Sequence, residues 1–541
     1  MRHFLGPQVP IERSFFRIPR ISARIAAFWP QSPNGPPRTS LTVLRFCVNA
    51  FAVALGAFGE NFYGFMYLDD LFSAFEAFCP GVTKVISLLK MTIFFVRHKR
   101  WQRVIHGMRV LLLQGKYQQR FCEFLYAKVF LQTFAFRGFW QNAIAKFVVV
   151  CCVAFFILFM CGVVQRFLVC YFFSHRTPTH TRTHTDTSIE KRRIMEPLAS
   201  FASVLSFVLL AAGSLTNTFF NVSPLVKMVY YKWQWQETQL LLPFKVVLSD
   251  AGKGNKCCQF KSQQQKHDTP DYEDDIDIQI KRQTGRQPAG NIFFTYSFNI
   301  PSLCIICFCF FCKYFSLPEL LVNLPYYPAT YLMLTLSGAM TVFTFSAVDG
   351  FFLCACLYTC ALFRMLQFDI RHTFAELQEL EYSTLLQNVR IQRRLAVLVE
   401  RHNKVIDLCS DFASEFTLIV LMHFLSAALV LCFSILDMML NSASIGILTY
   451  IFYSIAALTQ LFLYCIGGTY VSESSVEVAQ VIYDIDWYKC DLRTRRMLLI
   501  MLQRAQKAKT IAVPFFTPSL SAFRSIISTA GSYITLLKTF I

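Results

Sequence analysis

Arg495-Arg-Met-Leu-Leu-Ile-Met-Leu-Gln-Arg-Ala-Gln-Lys507, followed by Pro514-Phe-Phe516 and by Ser519-Leu-Ser-Ala-Phe-Arg-Ser-Ile-Ile-Ser-Thr-Ala-Gly-Ser-Tyr-Ile-Thr-Leu-Leu537, is the stretch whose reading decides the fold. Its first part sets Arg495, Arg496 and Arg504 among Met497, Leu498, Ile500 and Met501. That mixture predicts an amphipathic cationic helix, which lies along a membrane surface or against other helices. Its last part is apolar and close to the roughly 20 residues that cross a bilayer. A cationic surface helix feeding a membrane span is the signature of an integral helical protein.

Composition agrees. Of 541 residues 55% are hydrophobic, 57 are Phe, the mean hydropathy is +0.42 and only 16% are charged. Soluble domains carry about 25% charged residues. The net charge of +19 invites a nucleic-acid partner. Its placement excludes one, because the basic residues sit in short stretches between apolar runs, as cytoplasmic loops do. The Arg- and Pro-rich start has no compact apolar core of a secretory signal.

Apolar runs place seven spans near Leu41–Phe58, Leu71–Val96, Leu198–Val222, Tyr331–Leu357, Phe412–Met438, Ile445–Ile466 and Pro514–Leu537. Residues 1–45 hold seven Arg, and residues 97–120, 364–411 and 489–509 each hold seven basic residues. The connection from Glu60 to Glu76 holds four acids and no Lys or Arg. Basic connections therefore alternate with acidic or neutral ones. That predicts an all-α integral membrane fold of seven helices, N-terminus inside and C-terminus outside, with a cytosolic helical anchor region. A rhodopsin-like receptor has the opposite orientation, and its Asp-Arg-Tyr and Asn-Pro-x-x-Tyr motifs do not occur at the corresponding places.

The Tyr483–Trp487 patch, the Met-Leu-Gln-Arg-Ala-Gln-Lys run and the closing Ser532-Tyr533-x-x-Leu536-Leu537 resemble the C-terminus of insect odorant receptors. Shorter patches, Met195-Glu-Pro-Leu-Ala-Ser, Leu324-Pro-Tyr-Tyr-Pro and Val348-Asp-Gly-Phe-Phe, resemble the third and fourth spans of the same family. The resemblance implies a seven-span ligand-gated ion-channel subunit that tunes the response to odorants, not an enzyme. It implies a heterotetramer with an odorant co-receptor subunit, a small volatile ligand in the outer half of the bundle, and residence in the plasma membrane of olfactory sensory neurons. The segment Arg364–Asp411 is too short for the co-receptor itself. A gustatory receptor is the nearest alternative, but Ser532-Tyr533 is not followed by the Gln-Phe pair with which that group closes. A transporter is the third reading; its internal repeats and broken mid-membrane helices are not visible.

The resemblance also implies site residues. Leu536 and Phe540, one turn apart, match the family's hydrophobic gate, a ring that can block ions by dewetting. Tyr483, Trp487, Leu499 and Leu502 are expected to form the subunit anchor. Tyr450 and Tyr453 share a face of the sixth span, Tyr331 and Thr335 a face of the fourth. With Phe75 and Asn217 they are the expected ligand contacts, in an enclosed and mostly aromatic cavity. Lipid is the remaining partner.

The resulting organisation is a cytosolic segment (1–40), spans 1–2 with the start of a cytosolic loop (41–127), span 3 and its flank (190–250), spans 4–6 (314–468), the anchor (469–512) and the pore span (513–541). Residues 128–189 and 251–313 fit neither the family nor membrane logic, and read as insertions or retained introns. No cofactor is expected. Cys304, Cys307, Cys309 and Cys312 are too crowded for a zinc tetrahedron, whose ligand pairs are usually separated by a longer loop. His180 and His184 lie in Thr-rich sequence that disfavours a helix. Phosphate-loop, hydrolase-elbow and zinc-protease motifs do not occur. Asp349 in Val-Asp-Gly-Phe-Phe is the clearest intramembrane acid, and such groups are functional candidates by default. Its structural reading, an acid paired inside the bundle, is favoured.

Overall fold

A computed structural model describes residues 15–30, 39–69, 71–113, 187–235, 327–378, 385–440 and 447–538. These form helices α1 (Arg17–Ile25), α2 (Ser40–Met66), α3 (Leu71–Val96), α4 (His98–Leu113), α5 (Thr187–Trp235), α6 (Tyr327–Gln378), α7 (Leu385–Leu440), α8 (Ile447–Asp484), α9 (Leu492–Gln506) and α10 (Leu520–Lys538). Most of 128–189, all of 251–313 and the Cys and His clusters discussed above lie outside the described residues.

Among the described residues six segments are long and apolar enough to cross a membrane: Ser40–Met66, Ala74–Val96, Pro197–Val222, Tyr327–Ala375, Asn388–Leu436 and Tyr450–Asp484. They overlap the first six expected spans, and α3 has the very bounds read from the sequence. The seventh expected span is α10, which is not among the six. Its 19 residues rise about 28 Å, near the thickness of a hydrocarbon core. Arg524 and the hydroxyls of Ser521, Ser525, Ser528, Thr529 and Ser532 make it less apolar than the rest.

Two features depart from the expected layout. The stretch 364–411, read as a connecting loop, is mostly helix. α6 has 52 residues, α7 has 56 and α8 has 38, or about 78, 84 and 57 Å. All three overrun a hydrocarbon core of about 30 Å. The overrun of α7 escapes hydropathy because it is amphipathic, with Leu395, Leu398, Val405 and Cys409 buried and Arg390, Arg393 and Arg394 on its outer face. The second departure is the N-terminal segment, which is no loose tail. Phe15 sits edge-on to Tyr358, Phe16 lies 5.0 Å from Phe351, and Phe28 lies 5.9 Å from Phe94. A left-handed residue turns the chain into this site. Ala27 has φ 67°, its N–H donates to Arg24, and the N–H of Phe28 donates back to Ala23. That is a Schellman ending with Ala where Gly is usual.

α6 is the central helix. Of its most apolar window 89% is buried, against 28% for α2, so α6 packs on all sides while α2 faces outward. Against it Phe94 stacks on Trp101 at 4.2 Å, and its own Phe351 and Phe352 close an aromatic cluster with Phe412 and Phe416 of α7. The chain leaves α9 and reaches α10 through a tight turn at Val513–Phe516, with Phe515 at φ 76° and fully exposed. Gly468 is required here. A Cβ on it would stand 2.2 Å from the carbonyl oxygen of Pro518, so α8 and the lead-in to α10 meet backbone to backbone.

Candidate functional site

A cavity of about 110 Å³ lies between α3, α5, α6, α7 and α8, in the half of the bundle away from α9. Small residues create it: Gly213 on α5, Gly338 on α6, Ala427 on α7, and Ala456 and Ala457 on α8. Phe220, Phe345 and Tyr453 supply aromatic walls, and Leu209, Val342 and Val430 aliphatic ones. Pro80 on α3 stands in the wall as well, inside a helix where its missing N–H breaks one rung. The space is comparable with apolar cavities of about 150 Å³ that accept benzene.

The polar groups of the wall are mostly spoken for. Thr216, Thr341 and Ser426 donate their hydroxyl hydrogens to backbone carbonyls on their own helices, at 2.9–3.0 Å. Tyr453 donates to Thr83 at 2.8 Å, and Thr83 passes its own hydrogen to Cys79. Lys84 is paired with Glu60 of α2, both side chains being fully buried. Beside the cavity lies a second buried pair. Lys90 donates to Asp349 at 2.6 Å, Tyr464 donates to the same oxygen at 2.7 Å, and the ammonium lies 4.2 Å over the ring of Phe345. Asp349 is thus an acid paired within the bundle. His423 completes this cluster, with its Nδ1 3.2 Å from Lys90.

Of the residues expected from sequence to touch a ligand, the structure brings Asn217 and Tyr453 to this wall. The other four stand apart from it. Phe75 stacks on Phe433 at 5.1 Å. Tyr331 donates its hydroxyl to the carbonyl of Asn221, and Thr335 lies 3.0 Å from the Asn221 side chain. Tyr450 is buried outside the wall. Lys84, Phe345 and His423 were missed. A lone Lys or His in an apolar run is a visible signal, but neither the helix pairing nor the partner is written in the run.

The region expected from sequence to form the subunit anchor lies apart from this cavity. α9 is capped by Asp491, whose carboxylate accepts from the Arg493 and Thr494 amides, the Thr494 hydroxyl and Gln392. Slight burial pushes the carboxyl up, and these hydrogen bonds outweigh it and hold it below the usual carboxylate range. Thr494, Leu498, Met501 and Ala505 are buried at helical spacing. The opposite face leaves Leu492, Leu499 and Ile500 exposed, beside exposed Tyr483, Trp487 and Tyr488. Leu499 and Leu502, both expected at the anchor, differ in exposure. Leu499 is 55% exposed, whereas Leu502 packs against the core. Leu536 falls in α10, though its side chain lies outside the described residues, as does Phe540 altogether. No group of three or more metal-ligating side chains occurs among the described residues.

Comparison with known proteins now decides the family. The chain is 39% identical to Odorant receptor 22c of Drosophila melanogaster over 538 residues, covering 99% of each chain. It belongs to the insect odorant receptor family. Odorant receptor 24a of Drosophila melanogaster is 25% identical over 99% of each chain. The family model for the 7tm odorant receptor matches residues 276–531. The solved olfactory receptor OR5 of Machilis hrabei superposes with a TM-score of 0.58, at 11% identity, over 97% of this chain and 98% of that one. A second structure of OR5, in complex with eugenol, gives 0.53 at 13% identity. The chain is therefore a multi-pass membrane receptor with the odorant receptor fold, and not an enzyme.

Proposed function

We propose that the cavity between α3, α5, α6, α7 and α8 is the odorant site, and that its occupation gates a cation pore in a heteromer with the odorant co-receptor. The cavity carries this reading. It is framed by small residues that leave room and walled by Phe220, Phe345, Leu209, Val342 and Val430, with polar side chains among them whose hydrogens are mostly engaged, an apolar-walled space of the kind that takes a small volatile molecule. By the charge placement it lies in the outer half of the bundle. A relative with the same fold is known in complex with eugenol, a ligand of the right size class.

The anchor region 469–512 is the surface for the co-receptor. Tyr483, Trp487, Tyr488, Leu492, Leu499 and Ile500 are exposed together in this region, a patch rich in the aromatic side chains favoured at interfaces. α10 is the pore-lining span, with Leu536 and Phe540 as gate, and the complex works in the plasma membrane of olfactory sensory neurons. Ala457→Trp fills the cavity from α8 without touching the anchor. In cells with the co-receptor it should abolish odorant-evoked current while surface labelling and co-purification persist. Unaltered dose–response curves in that variant place the ligand elsewhere.

A further inference from the structure

His423 sits where two chemistries meet. The residue lines the cavity, and its Nδ1 lies 3.2 Å from the Lys90 ammonium. An ammonium has only donors, so Nδ1 accepts and the ring hydrogen resides on Nε2. Lys90 is held in that role by Asp349, 2.6 Å away. Nε2 is buried and has no hydrogen-bond partner. The hydroxyl oxygens of Thr341 and Ser426 could accept, but neither is a hydrogen-bond partner of Nε2. A buried N–H without an acceptor is costly, and the cost is recovered when an acceptor arrives.

We infer that this cavity selects uncharged ligands bearing a hydrogen-bond-accepting oxygen, such as ketones, and that the N–H of His423 Nε2 is the donor that selects them. The inference rests on the reading of the cavity as the odorant site, and adds to it a ligand class and a specificity residue. A hydrocarbon of the same shape fills the space but leaves the donor unpaired. A site built to donate a hydrogen bond rejects such an analogue by more than it would for shape alone. His423 acts here as a neutral donor whose tautomer is dictated by the Lys90–Asp349 pair.

The probes are methyl ketones from hexan-2-one to nonan-2-one together with acetophenone, each beside the hydrocarbon in which C=CH₂ replaces C=O. They are applied to cells expressing the full chain with the co-receptor, with surface labelling of every variant. In the unmodified receptor each active ketone should be about tenfold or more potent than its hydrocarbon. His423→Phe should bring the two within about twofold, and His423→Gln, which keeps an N–H donor, should retain part of the gap. A hydrocarbon as potent as its ketone, silence towards every ketone, or an unchanged gap in His423→Phe overturns the inference. If His423→Phe does not reach the surface, the unmodified receptor and His423→Gln still decide. Ala457→Trp separates the two claims. Loss of all responses in it, with no ketone preference in the unmodified receptor, leaves the cavity reading standing and removes His423 from it; full responses in Ala457→Trp remove both.

Discussion

Asp349→Leu should be far more damaging than the pair of changes Lys90→Met and Asp349→Leu together. The two side chains are 1% and 2% exposed, and their charged atoms are 2.6 Å apart. Removing the acid alone leaves an ammonium buried beside His423 and the ring of Phe345, which soften the loss without neutralising the charge. Breaking a buried pair in this way costs about 3–5 kcal/mol. Tyr464 also loses its acceptor, adding about 1 kcal/mol. Against a total stability of about 5–15 kcal/mol, the single variant should be largely retained inside the cell. Removing both charges leaves only the Tyr464 hydroxyl and His423 Nδ1 unpaired, for about 1–3 kcal/mol. The double variant should therefore be about 3 kcal/mol more stable than the single one. The assay is surface expression together with the temperature at which purified protein in lipid nanodiscs aggregates. A single variant as stable as the double variant would refute the argument that this pair is held by mutual neutralisation.

Three further outcomes are expected. Gly468→Ala should strongly disturb the entry to α10, because its Cβ would stand 2.2 Å from a backbone oxygen that no side-chain rotation can move; gel filtration and resting current report it, and a normal channel would contradict the close approach. Asp491→Ala should cost about 1 kcal/mol as a lost N-cap. Since the folded carboxyl is depressed, that contribution is complete above the unfolded pKa of about 3.9 and disappears as pH falls through the folded value, so stability curves of the two proteins should converge in strong acid. Leu499→Asp with Ile500→Asp should abolish co-purification with the co-receptor and leave the fold intact, both positions being exposed; Leu502→Asp would instead destabilise α9 itself, and persistence of the complex in the Leu499/Ile500 variant would exclude this face as the contact.

Much of the architecture was legible because bilayer length is a one-dimensional constraint. The rule of about 20 apolar residues per crossing needs only the order of residues, and the bounds of α3 were read without any partner. The family could be read from the tail for the same reason, since ordered motifs are linear. Extra-membrane helix was not legible by that rule. The overruns of α6, α7 and α8 are polar on one face, and Leu395, Val405 and Cys409 become a core only once neighbouring helices cover them. The N-terminal Phe15, Phe16 and Phe28 read as isolated aromatics in an Arg-rich tail, and their destination against Tyr358, Phe351 and Phe94 is a long-range contact.

The candidate site divides along the same line. The resemblance to odorant receptors implied an aromatic cavity, and with depth along the spans it put forward Asn217 and Tyr453, which the structure sets on this cavity's wall. The azimuth of a helix about its own axis is set by packing, which is why Phe75, Tyr331, Thr335 and Tyr450, at suitable depth, turn elsewhere. The charges show the limit most clearly. Lys84, Lys90, Glu60, Asp349 and His423 are plain in the sequence as ionisable groups in apolar runs. Which acid neutralises which base, and which ring nitrogen is left with a hydrogen, depends on distances of about 3 Å between residues as far as 333 positions apart in the chain. The sequence by itself determined which stretches are long and apolar enough for the first six crossings; the tertiary structure decided which buried charges meet, because Coulomb and hydrogen-bond energies in a low-dielectric interior fall off over a few ångströms of space that residue order does not measure.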